Sequence, residues 1–358
     1  MNPKLRVCAS LIATSVLLGG LGLSSGQVID ASPAKAPVSA SQKSSKNEVV
    51  LKWNGKTLSQ KGLVLHGVTY VPATALRDGL GMPLKYDAKQ RTYTLGNGYN
   101  KLSAIVYAST EIGILVNGSY AGEPGGQIIN GRLYVPFKTI SEYMGVQGQW
   151  NPSLKTLSMT QKKQNDITIK SATLKKKIQG VNAVVNYPVI SGLDNAEAQA
   201  EINKVLKENA SGVITRAEEN AEEFPPSESS FPYEFSGDFV VHYNQNDILS
   251  ITAYDYSYTG GAHGMTFRKS FTFSLKDGKQ MQLGDFINMQ GKNKQKLNNL
   301  VLNKLKKEGG YLGGFEGVPA DADFYVKDNA AVLYFQLYEY TAYAYGFPEF
   351  ELKLKEWK

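Results

Sequence analysis

One short loop offers the clearest opportunity for chemistry, the run Tyr258-Thr259-Gly260-Gly261-Ala262-His263-Gly264. Its glycines permit turns and close backbone approaches that other residues disfavour. They surround a histidine, the side chain best suited to proton transfer near neutral pH. Catalysis by His263 would need an orienting acid, for which Asp255 and Glu339 are the candidates. The loop could instead be structural, or it could contact a ligand or a partner.

The remaining composition excludes several classes of catalytic site. The chain has 3 His and 1 Cys, so a Cys-based zinc site and a disulfide scaffold are excluded. The histidines show no His-x-His, His-x3-His or His-Glu-x-x-His spacing, which argues against metallohydrolase and copper-oxidase centres. No Lys-Ser/Thr pair completes a phosphate-binding loop after the glycines. We therefore expect no catalytic residue, no metal and no cofactor.

Tyrosines provide a second candidate feature, with 21 Tyr against 3 Trp in the chain. Many lie in the C-terminal segment Tyr334–Phe350. If that segment is a strand, alternation puts Tyr334, Gln336, Tyr338 and Tyr340 on one face. That face would pack on helices, or its tyrosines would stack on sugar rings or anchor a protein partner. The candidate binding residues of the two segments are Tyr258, Gly260, Gly261, His263, Tyr338, Glu339, Tyr343 and Tyr345.

The second half of the chain is predicted to be an antiparallel sheet packed with two helices. Alternating residues predict strands in three places, Ile167–Val189, Phe239–Tyr243 and Ile248–Tyr258. One helix should begin at an Asp194 cap and stop before Pro225. The other spans Gly291–Glu308, and its lysine-rich face is either a solvated surface or a site of attraction for an anionic partner.

The first half contains an internal duplication. Val68–Leu95 matches Arg132–Met159, and each copy has a Tyr-Val-Pro run, a short helical pattern, a glycine and a hairpin pattern. Pro cannot continue a central strand ladder, so Tyr-Val-Pro should end a strand. The predicted helices are Ala73–Leu80 and Phe137–Met144, and the predicted tight turns are Asn54-Gly55 and Asn117-Gly118. The pattern predicts a duplicated antiparallel β domain with short helices, and hence an α+β fold for the whole chain.

The order of these elements resembles the copper amine oxidase N-terminal-like domain over about Val49–Lys163. The resemblance implies an accessory, often surface-associated module that acts as a spacer or a second binder. The oxidase's catalytic domain has a topaquinone-forming Tyr in an Asn-Tyr-acid motif and a three-His copper site. Here Asn186-Tyr187 is followed by Pro188 instead of an acid. We therefore expect no copper chemistry.

The glycine loop, the hairpin pattern in Phe271–Ile287 and the C-terminal tyrosine segment also resemble a known module over about Asp166–Glu356. It is the paired extracellular domain of RsiV-type anti-sigma factors and of peptidoglycan deacetylase C. In RsiV-type proteins the module recognises lysozyme and triggers regulated proteolysis; in the deacetylase it accompanies a separate catalytic domain. The deacetylase's His-x3-His pair is absent, and the apolar stretch starting at Val7 leaves little room for a sigma-binding segment. The resemblance thus implies a sensing or wall-associated role.

The N-terminus has the three-part form of a secretory signal peptide. Lys4 and Arg6 precede the apolar stretch Val7–Leu23, and small residues follow it; an uncleaved anchor is the alternative. Residues 31–47 are rich in Ser, Ala, Pro and Lys and are predicted to be a flexible tether. Cys8 lies inside the signal, so cleavage would leave a cysteine-free protein. The net charge of +7 comes with no nucleic-acid-binding motif, so nucleic acid is not an expected partner.

These patterns divide the chain into a signal peptide at 1–30, a tether at 31–47, the duplicated domain at 48–163, and the two parts of the RsiV-like domain at 164–264 and 265–358. We expect a secreted, non-enzymatic protein of a Gram-positive envelope that binds a cell-wall glycan or a lysozyme-like protein. No membrane partner is expected after signal cleavage. The alternatives are a structural surface-layer component and, less favoured, an envelope hydrolase of unrecognised type.

Overall fold

The fold is seen in a computed structural model that describes residues 47–108, 111–178, 180–225, 232–308 and 310–357. The predicted signal peptide and the predicted tether, except its last residue, lie outside these ranges. Within them, no helix is long and apolar enough to cross a membrane.

The described residues of the duplicated half form two short helices and twelve strands. In chain order the elements are β1 (Glu48–Trp53), β2 (Lys56–Leu65), β3 (Val68–Pro72), α1 (Ala73–Leu80), β4 (Leu84–Asp87), β5 (Thr92–Leu95), β6 (Leu102–Ala108), β7 (Glu111–Val116), β8 (Ser119–Tyr120), β9 (Gln127–Ile129), β10 (Arg132–Pro136), α2 (Phe137–Tyr143), β11 (Val146–Asn151) and β12 (Thr156–Gln161). Asn54 and Asn117 both have positive φ and are followed by positive-φ glycines, as the predicted tight hairpin turns require.

The strands of the duplicated half form two sheets. One has the order β11-β12-β1-β2-β3-β10-β9 and the other β4-β5-β6-β7-β8. The two Tyr-Val-Pro strands pair with each other in antiparallel fashion, with Val71 opposite Val135. The hairpin after α1 joins the second sheet, whereas the hairpin after α2 joins the first. Because the second hairpin joins the first sheet, β12 lies beside β1 in a parallel pair. The two copies of the duplication are therefore interleaved around one core.

The second half has the predicted combination of sheet and two long helices. Its elements are β13 (Thr168–Ile178), β14 (Val181–Ser191), α3 (Ala196–Glu223), β15 (Tyr233–Gln245), β16 (Ile248–Tyr258), β17 (Met265–Ser274), α4 (Gly291–Glu308), β18 (Phe324–Lys327), β19 (Ala330–Tyr334) and β20 (Glu349–Lys353). The strands form a five-stranded sheet, β13-β14-β15-β16-β17, and a three-stranded sheet, β18-β19-β20. The α+β class is confirmed.

Helix α3 makes the crossover between β14 and β15, which are therefore parallel, unlike the other neighbours in their sheet. Its buried residues follow one helical stripe that includes Ile202, Leu206 and Val213. The predicted Asp194 cap is wrong by one residue: the side chain of Asn195 accepts hydrogen bonds from the backbone N–H groups of Glu197 and Ala198. Asn and Asp are comparable as caps, so the sequence alone did not distinguish the two positions.

The predicted C-terminal strand Tyr334–Phe350 is also wrong. β19 ends at Tyr334, a short 3-10 turn spans Tyr343–Tyr345, and β20 begins only at Glu349. Tyr338 and Gly346 both have positive φ, which interrupts an extended chain between the strands. Neighbouring Tyr334 and Phe335 are both buried, whereas Tyr338 is exposed. The alternation of faces expected for this segment therefore does not occur.

The two halves are joined along one edge of β15. β14 pairs with β15 only as far as Gly237. Beyond that point the Asn100 side chain donates to Val241 O at 2.8 Å and accepts from Val241 N at 3.1 Å. The Asn117 amide donates to Phe239 O at 2.7 Å. Two asparagines of the duplicated half thus take the place of a neighbouring strand.

Replacing Asn100 by Ala should destabilise the protein. Both backbone groups of Val241 would lose their partner at a buried position, and one buried polar group left unpaired costs about 1–3 kcal/mol. Denaturant unfolding of Asn100→Ala should show at least this loss. Asn97→Ala, an exposed change in the same loop, is the control and should be near neutral. Equal stability of the two variants would contradict the role given to Asn100.

Asp238 lies on the same strand and should make stability depend on pH. Its Oδ1 accepts from the Asn186 amide at 3.0 Å. Burial raises its pKa from 3.8 to about 6, and the Asn186 hydrogen bond and the charge of Lys101 oppose only part of that rise. The raised pKa means that the folded protein holds the proton more tightly than the unfolded chain. Protonation of Asp238 therefore contributes to the free energy of unfolding. This contribution is fully present below about pH 4 and is lost as the pH rises through about 6.

The Asp238→Asn variant isolates this contribution because the amide does not titrate. From pH 4 to pH 7 its unfolding free energy, relative to the unaltered chain, should rise by up to about 3 kcal/mol, the equivalent of a shift of about 2 pH units. Urea unfolding at several pH values measures the difference. Asp166→Asn, at an exposed position, should give a difference that does not follow this curve. A constant difference for Asp238→Asn would contradict the assignment.

Candidate functional site

The glycine loop connects β16 to β17, two antiparallel neighbours in the five-stranded sheet. Gly260 and Gly261 have φ of 104° and 93°, values that side chains rarely adopt, so glycine is required there. The Tyr258 hydroxyl donates to Gly261 O at 3.1 Å across the turn. These contacts make the first part of the loop a compact turn that carries His263 beyond the end of the sheet.

Three aromatic rings come together at this loop. The ring centroids of His263 and Tyr343 are 4.1 Å apart with an interplanar angle of 23°. Tyr338 lies with its centroid 6.5 Å from His263 and 5.5 Å from Tyr343. We call these three residues the ring cluster. It joins residues far apart in sequence, and Tyr338 keeps 47% of its surface exposed.

The hydrogen bonds of the cluster define the imidazole's role. His263 Nδ1 lies 2.9 Å from Gly264 O, a carbonyl that can only accept, so Nδ1 carries a proton. In the neutral ring, Nε2 can then accept from the Tyr338 hydroxyl, 3.4 Å away. The Tyr343 hydroxyl donates to the same Gly264 carbonyl at 3.2 Å. Both imidazole nitrogens are therefore used to hold the cluster together.

Neither predicted acid completes a catalytic pair with His263. Asp255 is buried on β16 and accepts a hydrogen bond from Arg216 of α3 at 3.1 Å. Burial raises the pKa of Asp255, and the charge of Arg216 opposes that effect. The carboxylate of Glu339 accepts from the backbone N–H of Gln336 at 2.8 Å. Both acids therefore have hydrogen-bond partners other than His263.

Gln336 connects the tyrosine segment to β17. Its side-chain oxygen accepts from Arg268 N at 3.1 Å, and its side-chain nitrogen donates to Arg268 O at 2.8 Å and to Asp323 at 3.1 Å. The amide thereby pairs with β17 as a strand residue would. This anchor lies just before Tyr338, whose φ of 66° is uncommon for a residue with a side chain. The sequence carries no signal for this role of Gln336.

A largely buried arginine supports the same region. The Arg268 guanidinium lies over the rings of Tyr254, Tyr334 and Phe347 at 5.2, 5.5 and 4.2 Å, and it contacts Glu349 at 2.5 Å. Burial alone would lower the pKa of Arg268, but its interactions with Tyr254 and with the Glu349 carboxylate outweigh that effect and raise the pKa. The one sequence signal for this site is a charged residue among the aromatic and polar residues of β17.

The other predicted site residues occupy different surroundings. Tyr345 is 48% exposed, and its ring packs so closely on Gly310 that a Cβ there would lie 2.1 Å from it. It is not one of the three stacked rings. Tyr258, Gly260 and Gly261 build the loop, and Glu339 caps the turn that carries Tyr338. In the described ranges no group of three or more His, Cys, Asp or Glu residues is placed to hold a metal ion.

Gly264→Ala should disrupt the ring cluster. A Cβ at this position would lie 2.4 Å from the ring of Tyr256, and such overpacking costs about 1–3 kcal/mol. We expect that loss in denaturant unfolding, together with a change in the imidazole proton resonances of His263 as its stacking on Tyr343 is disturbed. Gly98→Ala, where an added Cβ meets nothing within 4 Å, is the control. Unchanged resonances in Gly264→Ala would contradict the geometry.

Comparison with known proteins matches three family models to successive parts of the chain. The copper amine oxidase N-terminal domain matches residues 115–195, the deacetylase PdaC family 174–266, and a protein family of unknown function, DUF3298, 275–355. The first match covers the second copy of the duplication and continues into β13 and β14.

Individual relatives are distant. The chain is 24% identical over 204 residues to the peptidoglycan-N-acetylmuramic acid deacetylase PdaC of Bacillus subtilis (strain 168), a match that covers 54% of this chain and 42% of that protein. The chain therefore spans less than half the length of this curated relative. Two solved structures of DUF3298 proteins, from Bacteroides fragilis and Pseudomonas aeruginosa, are 16% and 14% identical with TM-scores of 0.41 and 0.38. Each match covers 54% of this chain and 93% of the other.

The order predicted from the sequence is confirmed: a copper amine oxidase N-terminal segment is followed by a PdaC segment and a DUF3298 segment.

Proposed function

We propose that this chain is a non-catalytic binding protein of the bacterial cell envelope, and that its ring cluster binds the glycan of the cell wall. The observation that carries the proposal is the stacking of His263, Tyr338 and Tyr343 at an exposed loop. The rings are fixed by hydrogen bonds and by the Gln336 anchor before any ligand arrives. A preformed aromatic surface loses little conformational freedom on binding.

The chemistry of the cluster suits a sugar. Aromatic rings offer a broad apolar face, and the tyrosine hydroxyl adds a polar group at its edge. Pyranose rings have a matching combination of C–H faces and hydroxyl edges. Tyr338 supplies both features at the exposed side of the cluster, so it is the residue that we expect to contact the glycan first.

The proposed location follows from two observations. The first residues of the chain have the pattern of a secretory signal peptide. The similarity to a peptidoglycan deacetylase of Bacillus subtilis is consistent with a protein that works at the wall. We propose a secreted or extracellular location, with attachment to the wall through the bound glycan.

A lysozyme-like protein is the second candidate ligand. It is favoured by the resemblance to RsiV-type domains and by the chemistry of Tyr338, because exposed tyrosines are common anchors of protein interfaces. The half-exposed Glu339, next to Tyr338, would add a negative charge for a cationic partner. The same cluster would serve either ligand.

The Tyr338→Ala variant should lose at least tenfold in affinity for purified cell wall, which corresponds to about 1.4 kcal/mol. Co-sedimentation with wall sacculi, and separately a pull-down with lysozyme, measure the two candidates. Tyr86→Ala, which removes an equally exposed tyrosine from the duplicated half, should bind as the unaltered chain does.

Two results would contradict the proposal. Equal wall binding by Tyr338→Ala and the unaltered chain would remove the ring cluster as the site. Release of acetate or of reducing ends from wall, lost in His263→Ala, would show an enzyme instead of a binding protein.

A further inference from the structure

A separate surface feature lies where the three family segments meet. It is a cleft of about 590 Å³ between the duplicated half and the C-terminal sheet. Its walls come from β3, α2, β15, β18 and β20, and from the loops that contain Pro124, Lys162 and Asp328. The volume is in the range of sites that hold small molecules. None of the residues of the ring cluster lines it.

The lining of the cleft carries equal numbers of positive and negative side chains. They are Lys138, Lys162, Lys327, Glu142, Asp328 and Glu351. Two ion pairs cross the boundary between the halves: Lys162 contacts Asp328, and Lys327 contacts Glu142 at 3.6 Å. Two more lie within one half: Lys327 contacts Glu351 at 2.6 Å, and Lys138 lies 4.0 Å from Glu142 on α2. Asp328 and Glu351 keep about half of their side-chain surface exposed (48% each), so they retain the capacity to bind a further partner.

The cleft also has apolar and aromatic walls. Phe137, Val68 and Pro124 contribute apolar surface. His242 lines the cleft as well, stacked on Tyr325 with ring centroids 3.9 Å apart. Its Nε2 is buried and has no hydrogen-bond partner in the part of the chain that the structure describes. A buried polar atom of this kind is unusual in a native structure unless a water or a ligand completes it.

We infer that this cleft binds a short peptide that carries both ammonium and carboxylate groups. The half-exposed carboxylates of Asp328 and Glu351 would receive the ammonium group. The Lys138 side chain is 65% exposed and touches Glu142 only at 4.0 Å, so its ammonium would receive a carboxylate. The apolar walls would contact the peptide's aliphatic groups. An anionic ligand would meet three carboxylates, and an uncharged sugar would form no ion pair with the charged lining. The inference does not depend on the function proposed for the ring cluster.

Calorimetric titration of the full chain tests the peptide class directly. The probe is the free tetrapeptide Ala-Glu-Lys-Ala, and the comparison ligands are acetylated and amidated Ala-Gln-Gln-Ala and the neutral sugar chitotetraose. We expect saturable binding of the charged peptide, with at least tenfold weaker binding of both comparison ligands. Absence of binding at millimolar peptide, or equal affinity for the uncharged peptide, would overturn the inference.

Variants locate the binding. Thr69→Trp places an indole at the wall of the cleft and should abolish peptide binding. Thr94→Trp makes the same change on β5, at a half-buried position outside the cleft, and should bind normally. Glu351→Gln should weaken binding at least tenfold, whereas Glu48→Gln, at an exposed position of β1, should not.

Thermal unfolding verifies that each variant is folded. Peptide binding that survives Thr69→Trp would overturn the inference, as would chitotetraose binding that Thr69→Trp removes. Chitotetraose binding that is lost only in Tyr338→Ala takes place at the ring cluster. In that case the binding of the charged peptide alone decides whether the cleft is a peptide site.

Discussion

The arrangement of the whole chain depends on how the edge of β15 is completed. β15 loses its partner β14 after Gly237, and an exposed strand edge presents unpaired N–H and C=O groups that invite non-native pairing. The side chains of Asn100 and Asn117 occupy that edge. Asn117 is also the first residue of the second Asn-Gly hairpin turn, so one residue serves both its own turn and the boundary. The duplicated half is thereby a fixed part of the structure beside the second half.

The position of the ring cluster depends on another side chain that replaces backbone pairing, that of Gln336. The tyrosine segment leaves β19 at Tyr334 and is attached again to β17 through the amide of Gln336. The same strand follows the loop that carries His263. Because both segments are fixed to β17, the rings meet without a cofactor or disulfide in the described part of the chain. The positive φ of Tyr338 is the local cost of this arrangement.

Much of the fold could be predicted because local rules decided it. The Asn-Gly turns, the Tyr-Val-Pro strand ends, helix α1 and helix α4 lie where turn chemistry and periodicity place them. The exchange of hairpins between the two sheets could not be predicted, since it depends on which core each hairpin joins.

The candidate site was predictable only in part. His263, Tyr338 and Tyr343 were found from their residue types, but the strand assumed for Tyr334–Phe350 placed the tyrosines wrongly. Residues with side-chain preferences for strands can still lie in turns when tertiary contacts hold them there. The contacts that do so, from Gln336 and Arg268, join positions distant in sequence. The charged cleft requires three separate segments to meet, and no local pattern indicates it.

The most direct test of the central claim is an NMR titration of the full chain with soluble glycan fragments of the cell wall. Binding at the ring cluster predicts saturable shifts in the side-chain resonances of His263, Tyr338 and Tyr343, with the residues of β4 and β5 unaffected. Fragments that cause no shifts at millimolar concentration, or that shift only residues away from these three rings, would contradict the account.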